Sequence, residues 1–150
     1  RALASLEQVY IREPERVFGL YPHELSGGMG QRVMIAMMVV REPDLLVADE
    51  PTTALDVTVR TQVLSIMDEL VTRRGMGLIL ISHDLNLVSR FCDRVLVMYA
   101  GRVVEDLAAS RLHEATHPYT RGLLACLPTI DGPLDPLPVL NRDASWAGAA

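Results

Sequence analysis

LLVADE, residues 45–50, is a short apolar run that ends in two acids. Four consecutive apolar residues fit a strand that is buried on both faces, as in a parallel sheet. A second run, LILI at residues 78–81, is followed by Ser82 and His83. The sequence therefore predicts two parallel strands, each with polar groups at its carboxyl end.

Apolar residues at helical spacing surround the first strand. Residues 1–24 are expected to form a helix and a loop, interrupted by Pro14 and Pro22. A second helix is expected to begin at Ser26 and to end before Glu42. Its expected apolar side consists of Val33, Met34, Met37, Met38 and Val40.

The next helix is expected to run from Asp56 to Arg74, because Gly75 follows it as a stop signal. Its predicted buried stripe consists of Val59, Val63, Ile66, Met67 and Leu70. A helix of about two turns is expected after His83. The alternation of strands and helices predicts an α/β domain with parallel strands.

The last third of the sequence predicts a hairpin, a helix and a tail. Residues 94–105 read as two strands around Ala100-Gly101, and a helix is expected from Pro118 to Leu127. The proline-rich residues 129–150 are expected to form an extended, partly disordered tail.

The composition excludes several classes of protein. The chain has 150 residues, is 49% hydrophobic and has a net charge of −5, so a basic surface for nucleic acid is not expected. No apolar run approaches the ~20 residues that a membrane span needs. Cys92 and Cys126 lack CxxC partners, so reduced thiols are expected rather than a zinc or iron–sulfur site.

Three polar side chains are expected to share one site. Ligands of open parallel sheets lie at the carboxyl ends of strands, where Asp49, Glu50 and His83 fall. A pair of acids there suits a magnesium–nucleotide complex, because one acid holds the metal through water and the other orients the attacking water. Two alternatives stay open: the acids open a turn only, or the histidine belongs to the core.

LSGGMGQR, residues 25–32, is a second candidate binding element. Ser26 can cap the helix, and Gly27 and Gly28 leave backbone N–H groups open at its positive end. Such an end binds anions. The alternative is an ordinary helix start made of serine and glycine.

Taken together, these segments resemble the ATP-hydrolysing subunits of ABC transporters. Residues 25–32 resemble the signature motif, residues 45–50 the Walker B motif, residues 54–56 the D-loop and residues 81–84 the switch-histidine segment. The resemblance covers the chain to about residue 128. It implies a P-loop NTPase-type parallel sheet core, in its C-terminal part, with the end of the helical signature subdomain.

The resemblance also implies a division of the chain into four segments. They are residues 1–40, the end of the helical subdomain with the signature motif; residues 41–110, the catalytic α/β core; residues 111–128, a C-terminal helical segment; and residues 129–150, the extended tail.

The resemblance assigns catalytic and metal-binding roles to the strand ends. Asp49 would hold water-coordinated Mg²⁺, and Glu50 would polarise the hydrolytic water. His83 would contact the γ-phosphate of ATP.

A second ATPase subunit is implied, because ABC ATPases hold two nucleotides in a head-to-tail dimer. Ser26, Gly27 and Gly28, with Gln31, would close on the ATP of the partner subunit. Asp56 would lie at the dimer seam, although an aspartate that opens a helix is commonly an N-cap alone.

The sequence also departs from the family. No GxxxxGK[ST] phosphate loop occurs and the chain contains no lysine, so the chain by itself is not expected to hydrolyse ATP. Gly30 occupies a position where the peptide importers of this family usually have Arg or Ser.

HPYTRGLL, residues 117–124, resembles the HPYT segment that is typical of the ATPases of oligopeptide, dipeptide and nickel importers. The resemblance implies peptide uptake at the cytoplasmic face of the inner membrane, with transmembrane permease subunits and, indirectly, a substrate-binding protein. The alternatives are a nickel or glutathione importer and a truncated, non-catalytic dimerisation module.

Overall fold

A computed structural model describes residues 1–53 and 55–127, together with Leu140, Asp143 and Trp146. The chain divides into two compact units, Arg1–His83 and Asp84–Ala150, which we describe separately. No helix within the described ranges is both long and apolar enough to cross a membrane.

Two parts of the expectations fall outside the described residues. They are Ala54 of the predicted D-loop and, apart from the three residues named above, the extended tail at residues 129–150. The division of the chain into four segments stays a prediction.

The first unit combines four helices and two strands. They are α1 (Ala2–Gln8), α2 (Pro14–Phe18), α3 (Gly27–Val39), β1 (Leu45–Asp49), α4 (Val57–Arg74) and β2 (Gly77–Ile81), with a 3₁₀ turn at Pro22–Glu24. The expectation of one helix and a loop before Ser26 is wrong. Pro14 starts a helix instead of interrupting one, because a first helical residue needs no N–H partner.

Side-chain caps begin both long helices of this unit. Ser26 Oγ accepts a hydrogen bond from Met29 N at 3.3 Å, and Asp56 Oδ1 accepts one from Val59 N at 3.0 Å. Gly75 ends α4 with a φ of 62°, a left-handed conformation that glycine adopts readily. The predicted extent of α4 is therefore confirmed.

The buried side of α3 differs from the prediction. The buried residues are Ile35, Ala36 and Val39. Three of the predicted residues are exposed instead: Met34, Met37 and Met38. Residues 33–40 are apolar throughout, so periodicity could not identify the face that packs. The stripe of α4 is largely confirmed, because Val63, Ile66, Met67 and Leu70 are buried and Val59 is half-buried.

The strands β1 and β2 pair in parallel, with Leu45 opposite Gly77 and Asp49 opposite Ile81. This confirms the predicted parallel arrangement. The prediction that both faces are buried is wrong for the described residues, since Leu46 is 5% exposed but Val47 is 51% exposed. Only one face of this two-stranded sheet packs against the core of its own unit.

The second unit contains α5 (Leu85–Phe91), β3 (Arg94–Tyr99), β4 (Arg102–Ala108), a 3₁₀ segment at Ala109–Glu114 and α6 (Pro118–Ala125). The predicted hairpin is confirmed. Ala100 and Gly101 turn it with φ values of 48° and 78°, which suits a two-residue loop between antiparallel strands. The core of this unit consists of Val88, Val95, Val97, Ala109 and Leu112.

Within this second unit, two residues near the end of the chain contact β3 and α6. The Trp146 ring lies 6.0 Å from the ring centroids of both Tyr99 and Tyr119, which are 4.6 Å apart. Leu140 lies over Gly122, where a Cβ atom would clash with Leu140 Cδ1. The surface formed by β3 and α6 therefore binds these two side chains.

Candidate functional site

The carboxyl ends of β1 and β2 lie side by side and bring Glu50 next to His83. The backbone N–H of Glu50 donates to the carbonyl of Ile81 at 2.9 Å, which extends the pairing beyond the last strand residue. Asp49, the third residue predicted at this edge, ends β1 itself. The three side chains therefore belong to one edge of the sheet.

The carboxylate of Glu50 is held from both sides. Its Oε1 accepts hydrogen bonds from His83 N at 3.0 Å and from His83 Nδ1 at 2.7 Å. Its Oε2 accepts one from Thr53 Oγ1 at 2.8 Å. These contacts, above all the one from the imidazole, hold the pKa of Glu50 below its ordinary value. Glu50 is therefore a fixed anion at neutral pH.

His83 is positioned by this anion. An ionised carboxylate can only accept hydrogen bonds, so Nδ1 of His83 carries the proton in this contact. No described residue bonds to Nε2, and 80% of the side chain is exposed. His83 is therefore not a core histidine.

Asp49 is available to a metal ion. Its side chain is exposed, and within the described ranges no hydrogen bond or ion pair engages it. Mg²⁺ prefers carboxylate oxygens and often takes only one or two from the protein, with phosphates and waters completing its shell. Among the described residues, no group of three or more His, Cys, Asp or Glu is placed so that it could hold a metal ion.

The start of α3 has one open and one crowded glycine. Gly27 is exposed, and a Cβ there would meet no described residue within 4 Å, so its backbone is accessible. A Cβ at Gly28 would lie 2.5 Å from Val59 Cγ1 on α4. Gly28 therefore allows α3 to approach α4 closely. Ser26 and Asp56, the two caps, lie at the starts of these two helices.

Gln31 makes a contact that the sequence did not indicate. Its Nε2 donates to the carbonyl oxygen of Pro51 at 2.6 Å and so joins α3 to the loop after Glu50. Thr53 was also not predicted as a site residue. A hydroxyl residue three positions after an acid in a turn is the signal that could have identified it.

Solved structures with the same fold come from ABC transporters. One is cbiO1 from Clostridium perfringens, with a TM-score of 0.66 and 31% identity over 75% of this chain and 44% of that chain. Another is the dimeric post-hydrolysis state of the cassette MJ0796 bound to ADP and Pi. Its TM-score is 0.62, with 29% identity over 71% of this chain and 45% of that one. The α/β cassette fold is thereby confirmed.

The sequence comparisons agree with the fold. The ABC transporter family profile matches residues 1–53. The oligopeptide transport ATP-binding protein AppD of Bacillus subtilis is 51% identical over 138 residues, 91% of this chain and 42% of its own length. OppD of Lactococcus lactis (strain SK11) is 48% identical over 141 residues, 93% of this chain and 42% of its own length.

The chain therefore belongs to the ABC transporter family of ATP-binding proteins. It is similar to the peptide-import members of that family, and it spans about 42% of the length of the curated relatives named here.

Proposed function

We propose that residues 25–84 form the part of an ATP-hydrolysing ABC importer subunit that extends from the signature motif to the switch histidine. The observation that carries the proposal is the Glu50 carboxylate, which accepts from both the backbone and the imidazole of His83 beside Asp49. A fixed anion at the carboxyl ends of parallel strands suits the orientation of an attacking water.

We assign the three strand-end residues separate tasks. Asp49 would hold Mg²⁺, and the ion, when bound, would neutralise charge on the phosphates. Glu50 accepts a hydrogen bond from the attacking water and orients it. His83 faces the γ-phosphate through Nε2. The proton on Nδ1 is already donated to Glu50. A hydrogen bond from Nε2 to a phosphate oxygen therefore requires an imidazole that carries a proton on both nitrogens.

We assign the seam of a head-to-tail dimer to the starts of α3 and α4. Ser26, Gly27 and Gly28 close on the ATP of the partner subunit, where the open backbone at Gly27 lets a phosphate approach N–H groups. Asp56 lies at the same seam and caps α4 as well. A solved cassette of the same fold, MJ0796, is dimeric.

We propose di- and oligopeptides as the cargo of the parent transporter, because the similar proteins AppD and OppD are named as oligopeptide transport proteins. The further partners are transmembrane permease subunits and, indirectly, a substrate-binding protein. The subunit would lie peripherally at the cytoplasmic face of the inner membrane. An ATPase subunit does not choose its cargo, so the cargo needs its own test.

The enzymatic part is tested by phosphate release from the purified full-length subunit with ATP and Mg²⁺. We expect turnover in the range of ~1–100 s⁻¹ that is typical of phosphoryl-transfer enzymes. ATP binding without turnover would instead favour a non-catalytic dimerisation module.

The cargo is tested by deletion of the parent gene and uptake of labelled dipeptides, oligopeptides, nickel and glutathione. We expect loss of peptide uptake alone. Loss of nickel or glutathione uptake with unchanged peptide uptake would contradict the peptide assignment and leave the ATPase assignment intact.

A further inference from the structure

A hydrogen bond between Gln31 and Pro51 connects the start of α3 to the loop after Glu50. These two segments have separate roles in the proposed function. Gln31 lies one turn into α3, the helix that begins with Gly27 and Gly28. Its side-chain amide donates to the carbonyl oxygen of Pro51 at 2.6 Å. Pro51 is buried, and its carbonyl is its only backbone hydrogen-bonding group because proline has no N–H. Gln31 therefore satisfies the one polar backbone atom of this residue.

The loop needs such support because Glu50 has an unfavourable backbone conformation. Its φ is 46°, in the left-handed region that residues with a Cβ atom rarely adopt. Such a conformation persists only where the surrounding structure imposes it. Here the N–H of Glu50 donates to Ile81 O at 2.9 Å, and the N–H of Thr53 donates to Glu50 O at 3.2 Å.

Gln31 supplies a further restraint on this loop, and it comes from a different element, α3. The bonds from Glu50 N and Thr53 N belong to the sheet edge and to the turn itself. The bond from Gln31 ties the same loop to α3. A displacement of the start of α3 would therefore reach the residue directly after Glu50.

We propose that Gln31 is a positioning residue, which fixes Pro51 and through it the direction of the Glu50 carboxylate. This differs from the nucleotide contact that the family resemblance implies, because the Gln31 amide is used within its own chain. The inference rests on the proposed ATPase function. If Gln31 has this role, movement of the start of α3 changes the position of the Glu50 carboxylate within the same subunit.

The test uses the full-length subunit with Gln31→Met, which keeps the length of the side chain and removes the donor. We expect kcat to fall roughly two- to tenfold, the effect of one hydrogen bond between uncharged groups, while KM for ATP stays within about twofold. Gln31→Ala, which also removes the donor and introduces no charge, should behave alike and provides the test if the methionine variant does not fold. Gln62→Ala, at an exposed glutamine of α4, is the matched control.

A second arm separates positioning from nucleotide contact. In a Glu50→Gln background, Gln31→Met should lower the residual turnover no further, because the carboxylate it positions is already gone. A raised KM for ATP, or an equal loss of kcat in both backgrounds, would overturn the inference. Absence of turnover in the wild-type subunit would instead refute the proposed function, and this inference with it.

Discussion

Gly28 at the start of α3 packs so closely against Val59 of α4 that a Cβ atom there would lie 2.5 Å from Val59 Cγ1. Real Cβ atoms do not approach other carbon atoms this closely, so any larger residue must displace the Val59 side chain or one of the two helices. The close approach links the glycines of the signature segment to the helix that Asp56 caps.

We expect Gly28→Ala in the full-length subunit to destabilise it by about 1–3 kcal/mol, the usual cost of overpacking. Val59→Ala should remove most of this penalty when the two changes are combined, because it removes the clashing methyl groups. The measurement is urea unfolding of both single variants and the double variant.

Gly30→Ala is the matched control for this experiment, since a Cβ at residue 30 meets nothing within 4 Å. It should stabilise the helix slightly, by roughly 0.5–1 kcal/mol. Equal destabilisation by both alanine substitutions would show that the contact with Val59 is not the cause.

Glu50→Gln should lower ATP turnover of the full-length subunit by about 10²–10³, the effect of losing one group that stabilises the transition state. ATP binding should persist, because Asp49 and the start of α3 are unchanged. Nucleotide binding and phosphate release are measured on the same preparation, with Asp49→Ala as the comparison. Normal turnover would refute the assigned role of Glu50.

His83→Ala should lower turnover but leave the melting temperature nearly unchanged, because 80% of the side chain is exposed. Thermal unfolding and steady-state phosphate release separate the two effects. A large drop in melting temperature that ATP does not reverse would indicate a structural role for this histidine.

Glu105 should contribute to acid sensitivity. Burial raises the pKa of this carboxyl, but hydrogen bonds from the N–H groups of Thr116 and His117 and from the Thr116 hydroxyl help to bring it below its ordinary value. A lowered folded-state pKa stabilises the protein above the unfolded-state pKa of about 4.3, and this is lost as pH falls through the folded-state value.

Glu105→Gln should therefore lose less unfolding free energy than the wild type on acidification below about pH 4.3, and should be less stable at neutral pH by about 1 kcal/mol. Urea unfolding at several pH values provides the measurement. Glu15→Gln, at an exposed glutamate on α2, is the control. Identical pH profiles for wild type and Glu105→Gln would contradict this account.

Trp146 is the single tryptophan of the chain and provides a reporter for its contact with Tyr119. In the 150-residue chain, Tyr119→Ala should shift tryptophan emission to longer wavelength, because the indole loses an aromatic neighbour and becomes more hydrated. Tyr21→Ala, at a tyrosine of the first unit that is 69% exposed, should leave the emission unchanged. A shift of equal size in both variants would argue against a specific contact.

Local chemistry allowed the sequence to predict most of the framework. The caps Ser26 and Asp56, the stop at Gly75 and the turn at Ala100-Gly101 each act through their own backbone or that of near neighbours. Their structural effects could therefore be predicted without knowledge of the rest of the chain. The resemblance of Asp49, Glu50 and His83 to the ABC transporter motifs was also evident from short sequence segments.

Burial and long-range contacts needed the tertiary structure. The apolar residues 33–40 carry no periodic signal, so only packing shows that Ile35 and Val39 are buried while Met37 is exposed. The bond from Gln31 to Pro51 joins residues that are distant in sequence, as does the contact of Gly28 with Val59. The sequence determined which chemical groups the protein carries and where its elements begin and end. The tertiary structure decided which of those groups meet, because such contacts depend on distances that no local pattern encodes.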